Sequence, residues 1–119
     1  MIHAMKLRDL PFSQIEQGSK TVELRLYDEK RRAIRVGDEI LFTHCDAPWR
    51  TLRCRVLALH VFSTFAELYA SLPLLRCGYT EETLSLAHPR DMECYYTPWQ
   101  ERAYGVVGIE LSLLGRDSD

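Results

Sequence analysis

Apolar residues recur along much of this chain with a period of two, and several stretches switch to helical spacing. Ile2 to Leu7 reads as a first short strand. Pro11 and Gly18 then bracket a segment with Phe12 and Ile15 on one side, the start and stop signals of a helix roughly two turns long. So short a helix holds only when it is docked on a core. In Thr21 to Tyr27, Val22, Leu24 and Leu26 share one face of a strand while Glu23, Arg25 and Tyr27 share the other. A charge-dense connection over 28–35 leads to Val36-Gly37-Asp38-Glu39, which has the chemistry of a turn, and then to the apolar strand Ile40 to Thr43.

After the break at Asp46-Ala47-Pro48, Thr51 to Phe62 carries the longest strand signal. Leu52, Cys54, Val56 and Ala58 alternate with Arg53, Arg55, Leu57 and Leu59, so one face changes from arginine to leucine along the strand. That change predicts a strand that begins at an edge or cleft and ends between covered surfaces, a spine for a small barrel. Thr64 and Glu67 have capping-box spacing ahead of a helix with Phe65, Leu68, Tyr69 and Leu72, stopped by Pro73. Thr80 opens a second amphipathic segment with Leu84 and Leu86. The piece from Asp91 leads to a fresh cap: Thr97 as N-cap, Pro98 at the first helical position and Gln100 completing the box. Tyr104 to Leu114 is β-rich, with Gly105 and Gly108 allowing a bulge or a close backbone approach, and Gly115 to Asp119 reads as a ragged tail. The expectation is an α+β fold: a small, partly open β-barrel with a short N-terminal helix and a helical insertion between the long central strand and the last strand.

Composition narrows the class. A length of 119 residues and 46% apolar content suit one soluble domain over 1–119. The early charges in MIHAMKLRDL argue against a signal peptide, and no apolar run reaches the roughly 20 residues of a membrane span. A cytoplasmic protein is expected. Cys45, Cys54, Cys77 and Cys94 form no close pair and have no zinc-like spacing with the histidines, so reduced thiols, no metal and no cofactor are expected. The net charge of −2 excludes a strongly basic, non-specific nucleic-acid binder. Its distribution is uneven, however, with a basic excess in the first half of the chain.

The candidate chemistry lies between Gln17 and Asp38. Lys20 emerges from the glycine turn beside a strand whose polar face carries Glu23, Arg25 and Tyr27. A lysine near an acid in a cleft binds a phosphate or carbonyl oxygen as a cation, or acts as a base when desolvated. Arg25 can orient Glu23, and Glu23 can accept donors from a base edge. Tyr27, Tyr95 and Tyr96 are candidates to stack on an unpaired base. Lys30, Arg31, Arg32 and Arg35 suit phosphate contact. For each the ordinary alternative is structural: a surface lysine, a cross-strand ion pair, core aromatics, a solvated loop.

The run Gly18-Ser-Lys20-Thr-Val-Glu23-Leu-Arg25-Leu-Tyr27-Asp28, followed by Val36-Gly37-Asp38 and an apolar strand, resembles the signature of ASCH domains, which share the PUA-like β-barrel fold. Met92 to Pro98 and Tyr104-Gly105-Val-Val-Gly108-Ile are similar to the end of small stand-alone bacterial members. The resemblance implies an RNA- or nucleotide-binding module with a cleft for a base or modified nucleoside, holding Lys20, Thr21, Glu23, Arg25, Tyr27, Tyr95 and Tyr96. It also implies two alternatives: a hydrolase in the same cleft, acting on N4-acetylcytidine or on RNA with Lys20 and Glu23 as catalytic residues, or a protein-interaction module. The family's amidohydrolase branch has a threonine nucleophile three residues after its lysine; here that position is Glu23, and a carboxylate does not replace an activated hydroxyl. Thr21 carries a hydroxyl next to Lys20. Glu67, Glu81, Glu82 and Glu93 are the candidates for that branch's second acid.

Overall fold

The computed structural model describes residues 1–118. Its order is β1 (Ile2–Leu7), α1 (Asp9–Gln17), β2 (Val22–Leu26), α2 (Glu29–Arg32), β3 (Glu39–His44), β4 (Arg50–Phe62), α3 (Phe65–Ser71), α4 (Pro98–Tyr104) and β5 (Val106–Ser118), with short 3-10 turns between α3 and α4. The strands form one mixed sheet in the order β1-β3-β4-β5-β2. Among the described residues only β1 and β3 pair in parallel. The sheet curls into a half-barrel whose two edges, β1 and β2, face each other across an open seam. The α+β architecture is the PUA-like one expected. No helix among the described residues is long and apolar enough to cross a membrane.

The period of two in β1 and β3 explains the first core. Met5, Leu7, Ile40 and Phe42 point inward with Leu52, Cys54 and Val56 of β4 and Val107, Ile109 and Leu111 of β5. Helix α1 closes this core with Phe12 and Ile15, and it stops at Gly18, whose φ of 87° is the left-handed C-cap. A second core lies outside β2, where Val22, Leu24 and Leu26 meet Phe65, Leu68 and Tyr69 of α3 and Met92 of the insertion. Gly108 on β5 permits this contact: a Cβ there would lie 2.5 Å from Leu72 Cδ1 and 3.2 Å from Val22 Cγ1. The alternation read in β2 is therefore right, but both of its faces are covered, the apolar one by the insertion and the polar one by the barrel interior.

Several expectations change. Residues within the charged connection form α2, because the Asp28 carboxylate caps the Arg31 N–H at 3.1 Å. The arginine-to-leucine face of β4 is covered only at its end: an extra residue in the ladder between Val56 and Ala58 breaks the alternation, leaving Leu57 46% exposed while Leu59 packs on the core. Thr64 Oγ1 accepts the Glu67 N–H, yet Glu67 does not complete the box by accepting the Thr64 N–H; the next donor, the Phe65 N–H, goes to Glu101 Oε2 of α4. The segment after Thr80 makes only turns and the 3-10 stretch Leu84–Leu86, with Leu86 79% exposed, so its apolar spacing finds no surface to bury against. By contrast, the Thr97 and Gln100 capping box forms as expected. Gly115 to Ser118 continue β5 because Arg50 to Arg53 supply a partner strand; Asp119 lies outside the described residues.

Candidate functional site

A cavity of about 440 Å³ opens at the seam, between the inner face of β2, the start of α1 and the helical insertion. Its floor is an ion triad. The turn at Gly18 lets the Ser19 and Lys20 N–H groups donate to Gln14 O, at 3.0 and 3.1 Å, which directs Lys20 under the cavity. Lys20 Nζ lies 2.8 Å from Glu23 Oε1, and Arg25 Nε donates to Glu23 Oε2 at 2.7 Å. The three side chains are well buried, with Glu23 itself 4% exposed. Arg25 Nη2 also donates to Lys6 O on β1, at 2.9 Å. One guanidinium therefore bridges the two edge strands and holds the carboxylate in the gap.

The wall comes from the insertion. Gln14 Nε2 donates to Gly78 O at 3.0 Å, which ties the loop after α3 to α1. Tyr79 OH donates to Asp91 Oδ2 at 2.7 Å, so the 2.7 Å contact between the Tyr69 and Tyr79 hydroxyls must have Tyr69 as its donor. Asp91 also accepts the His88 N–H. At the rim the Arg8 guanidinium lies 5.5 Å from the Tyr95 ring centroid, and Tyr96 stacks on Phe65 at 6.1 Å. Around the cavity the cations Lys6, Arg8, Lys20 and Arg25 outnumber the carboxylates Glu23 and Asp91.

The electrostatics of the lining have one direction. Burial raises the Glu23 carboxyl, but Lys20 and Arg25 together hold it below its ordinary value, so it is an acceptor only. The Tyr79 hydrogen bond and the His88 N–H hold Asp91 low. Burial pushes the Cys77 thiol up to about 11, and it also raises Tyr69, Tyr79 and Tyr96. Each of these groups is thus held further from neutral pH than it is in water. General acid–base work needs the opposite, a group whose pKa approaches the working pH. The lining is suited to holding a fixed pattern of donors and acceptors.

The ASCH domain model matches residues 5–115 of this chain. The chain belongs to the ASCH domain family. Two solved structures are similar to it over almost their whole length. One is the crystal structure of hypothetical protein PH0355, 32% identical with a TM-score of 0.75, covering 96% of this chain and 100% of that one. The other is the solution structure of protein PF0455 from Pyrococcus furiosus, 30% identical with a TM-score of 0.67, covering 96% and 98%. No curated protein matches.

Within this ASCH domain the cavity brings together Lys20, Glu23, Arg25, Tyr95 and Tyr96 of the residues singled out in the sequence. Thr21 is not in the lining; its backbone pairs with Arg76 and Leu111. Tyr27 packs on the first core under the Arg32 guanidinium, 4.4 Å from its ring centroid. Lys30, Arg31, Arg32 and Arg35 lie off the cavity: Arg31 pairs with Asp28 at 3.2 Å and Arg32 donates to Tyr104 O, while Lys30 and Arg35 are exposed. Glu67, Glu81 and Glu82 are exposed elsewhere, and Glu93 lines a neighbouring cavity of about 370 Å³. The acid that the insertion delivers to the site is Asp91, which sequence reasoning missed. Its signal was available, since His88-Pro-Arg-Asp91 has the spacing of a capping box, and the structure forms one.

Proposed function

We propose that this ASCH domain binds RNA or a free nucleotide by taking one base into the cavity at the seam. The observation that carries the reading is the Lys20–Glu23–Arg25 triad, nearly buried yet lining a cavity of about 440 Å³, within the size range of small-ligand sites. Lys20, Glu23 and Arg25 present donors and an acceptor to a base edge. Tyr95, half exposed, and the face of Tyr96 turned away from Phe65 are the stacking surfaces. Lys6 and Arg8 at the rim take the phosphate, while exposed Lys30 and Arg35 contact the backbone of a longer RNA.

Binding is favoured over hydrolysis in the same cleft by the direction of the shifts in the lining, and by the absence of Thr21 from it. Fluorescence titration of a short single-stranded RNA at two salt concentrations tests the reading. Binding is expected at low salt and should weaken as salt rises, because phosphate contacts release counterions. Lys20→Ala should lower the affinity about tenfold or more with the fold intact by circular dichroism. Absence of binding at low salt, or full affinity in the variant, refutes it. Incubation with N4-acetylcytidine followed by chromatography should return the substrate unchanged; release of acetate would favour the hydrolase instead.

A further inference from the structure

The triad at the floor of the cavity is an ordered hydrogen-bond array. Lys20 and Arg25 hold opposite oxygens of one carboxylate, at 2.8 and 2.7 Å, so a donor, an acceptor and a donor follow one another across the floor. Each has capacity left over. An ammonium has three donors, of which Glu23 takes one; a carboxylate oxygen has two acceptor sites, of which each here uses one. Arg25 spends Nε on Glu23 and one Nη2 proton on Lys6 O, and its Nη1 has no partner among the described residues. Burial fixes the array, and the ion pairs keep Glu23 from turning into a donor. A ligand edge that opposes donor to donor here leaves a buried group unpaired.

Only some base edges complement such an array. Cytosine and adenine place a ring nitrogen acceptor at the middle of their pairing edges, against the Glu23 carboxylate. Guanine places N1–H there, which fits, but its 2-amino group then opposes one of the two cations. Uracil presents O4, N3–H and O2: acceptor, donor, acceptor. Its edge is symmetric, so it fits in either orientation. We infer that the cavity selects bases with a cyclic imide edge, uracil first among them, with N3–H donating to Glu23 and the two carbonyls accepting from Lys20 and Arg25.

The inference rests on the base-binding reading above and is separable from it by a ligand series on the unmodified protein. Isothermal titration calorimetry would be run with uridine, 3-methyluridine, cytidine, adenosine and guanosine. Methylation at N3 removes the central donor and puts a methyl group against Glu23, while the ring and the ribose are kept. Uridine should bind about 10- to 100-fold more tightly than 3-methyluridine, and at least about tenfold more tightly than cytidine or adenosine, with guanosine between. Equal affinity for uridine and 3-methyluridine, or a preference for cytidine or adenosine, overturns the imide assignment and leaves base binding standing. Failure of all five nucleosides to bind, even at millimolar concentration, overturns both.

Discussion

Glu23→Gln tests the triad most directly, because it removes one charge while keeping the shape. In the folded protein the Lys20 and Arg25 side chains are only 10% and 13% exposed, and Glu23 is the acid paired with each. Removing one partner of a buried ion pair costs about 3–5 kcal/mol. Two features reduce that figure here: the triad faces an open cavity on one side, and glutamine keeps one acceptor oxygen. The expected loss is therefore about 2–3 kcal/mol at neutral pH, which moves a urea midpoint down by roughly 1 M or more. The pH dependence has a definite sign. The Glu23 carboxyl is held below its ordinary 4.5 in the fold, so its contribution is present above that value and is lost as pH falls through the lower, folded one. The stability gap between wild type and Glu23→Gln should be widest near pH 7 and close in the acid range below about pH 4. Taking the gap, not the wild-type curve, removes the parallel titration of Asp38 and Asp91, whose carboxyls are also held low. A gap under about 0.5 kcal/mol at pH 7, or one that does not narrow on acidification, would refute the argument that the triad is an ionised, buried unit.

Other predictions follow from single contacts. Arg25→Lys keeps the charge but cannot reach both Glu23 and Lys6 O, so it should cost about 1–2 kcal/mol and speed amide exchange along β1, measured by hydrogen–deuterium exchange. Gly108→Val drives methyl groups into Leu72 and Val22, and should lower stability by about 1–3 kcal/mol in a thermal melt. In Tyr79→Phe, Asp91 loses the first cause of its lowered pKa; carboxyl NMR should show it rising toward 3.8, with about 1 kcal/mol of stability lost. An Asp91 that titrates as before would mean that the His88 N–H alone holds it.

The parts of this molecule that were legible in the sequence are those where the local pattern and the tertiary environment agree. The strands of the first core alternate because one face of each is buried, and Thr97-Pro-Trp-Gln100 caps α4 because the box needs nothing beyond itself. Leu84 and Leu86 show the converse, apolar spacing with no surface left to cover, and Leu57 shows how one extra ladder residue undoes an alternation. Lys20, Glu23 and Arg25 were visible as a charged face, but a period of two states only that Glu23 and Arg25 share a side. That they face the inside of a barrel depends on the sheet order, which leaves β1 and β2 as opposed edges. Asp91 became part of the site only through Tyr79 and a fold of the insertion that no periodicity encodes.

On the proposed reading, the seam connects stability to recognition. A half-barrel with two unpaired edges needs something to span them, and a guanidinium that reaches Lys6 O from one strand while holding a carboxylate does so with a fixed geometry. The same fixation makes the remaining lone pairs of Glu23 and the free N–H groups of Lys20 and Arg25 rigid in direction, which a selective hydrogen-bonding site requires. A residue that closes the fold and lines the cavity cannot be changed for one purpose alone. Arg25→Lys should therefore loosen β1 and blunt base discrimination together, by comparable factors. A variant that lost one and kept the other would separate seam closure from recognition and show that the triad is two devices, not one.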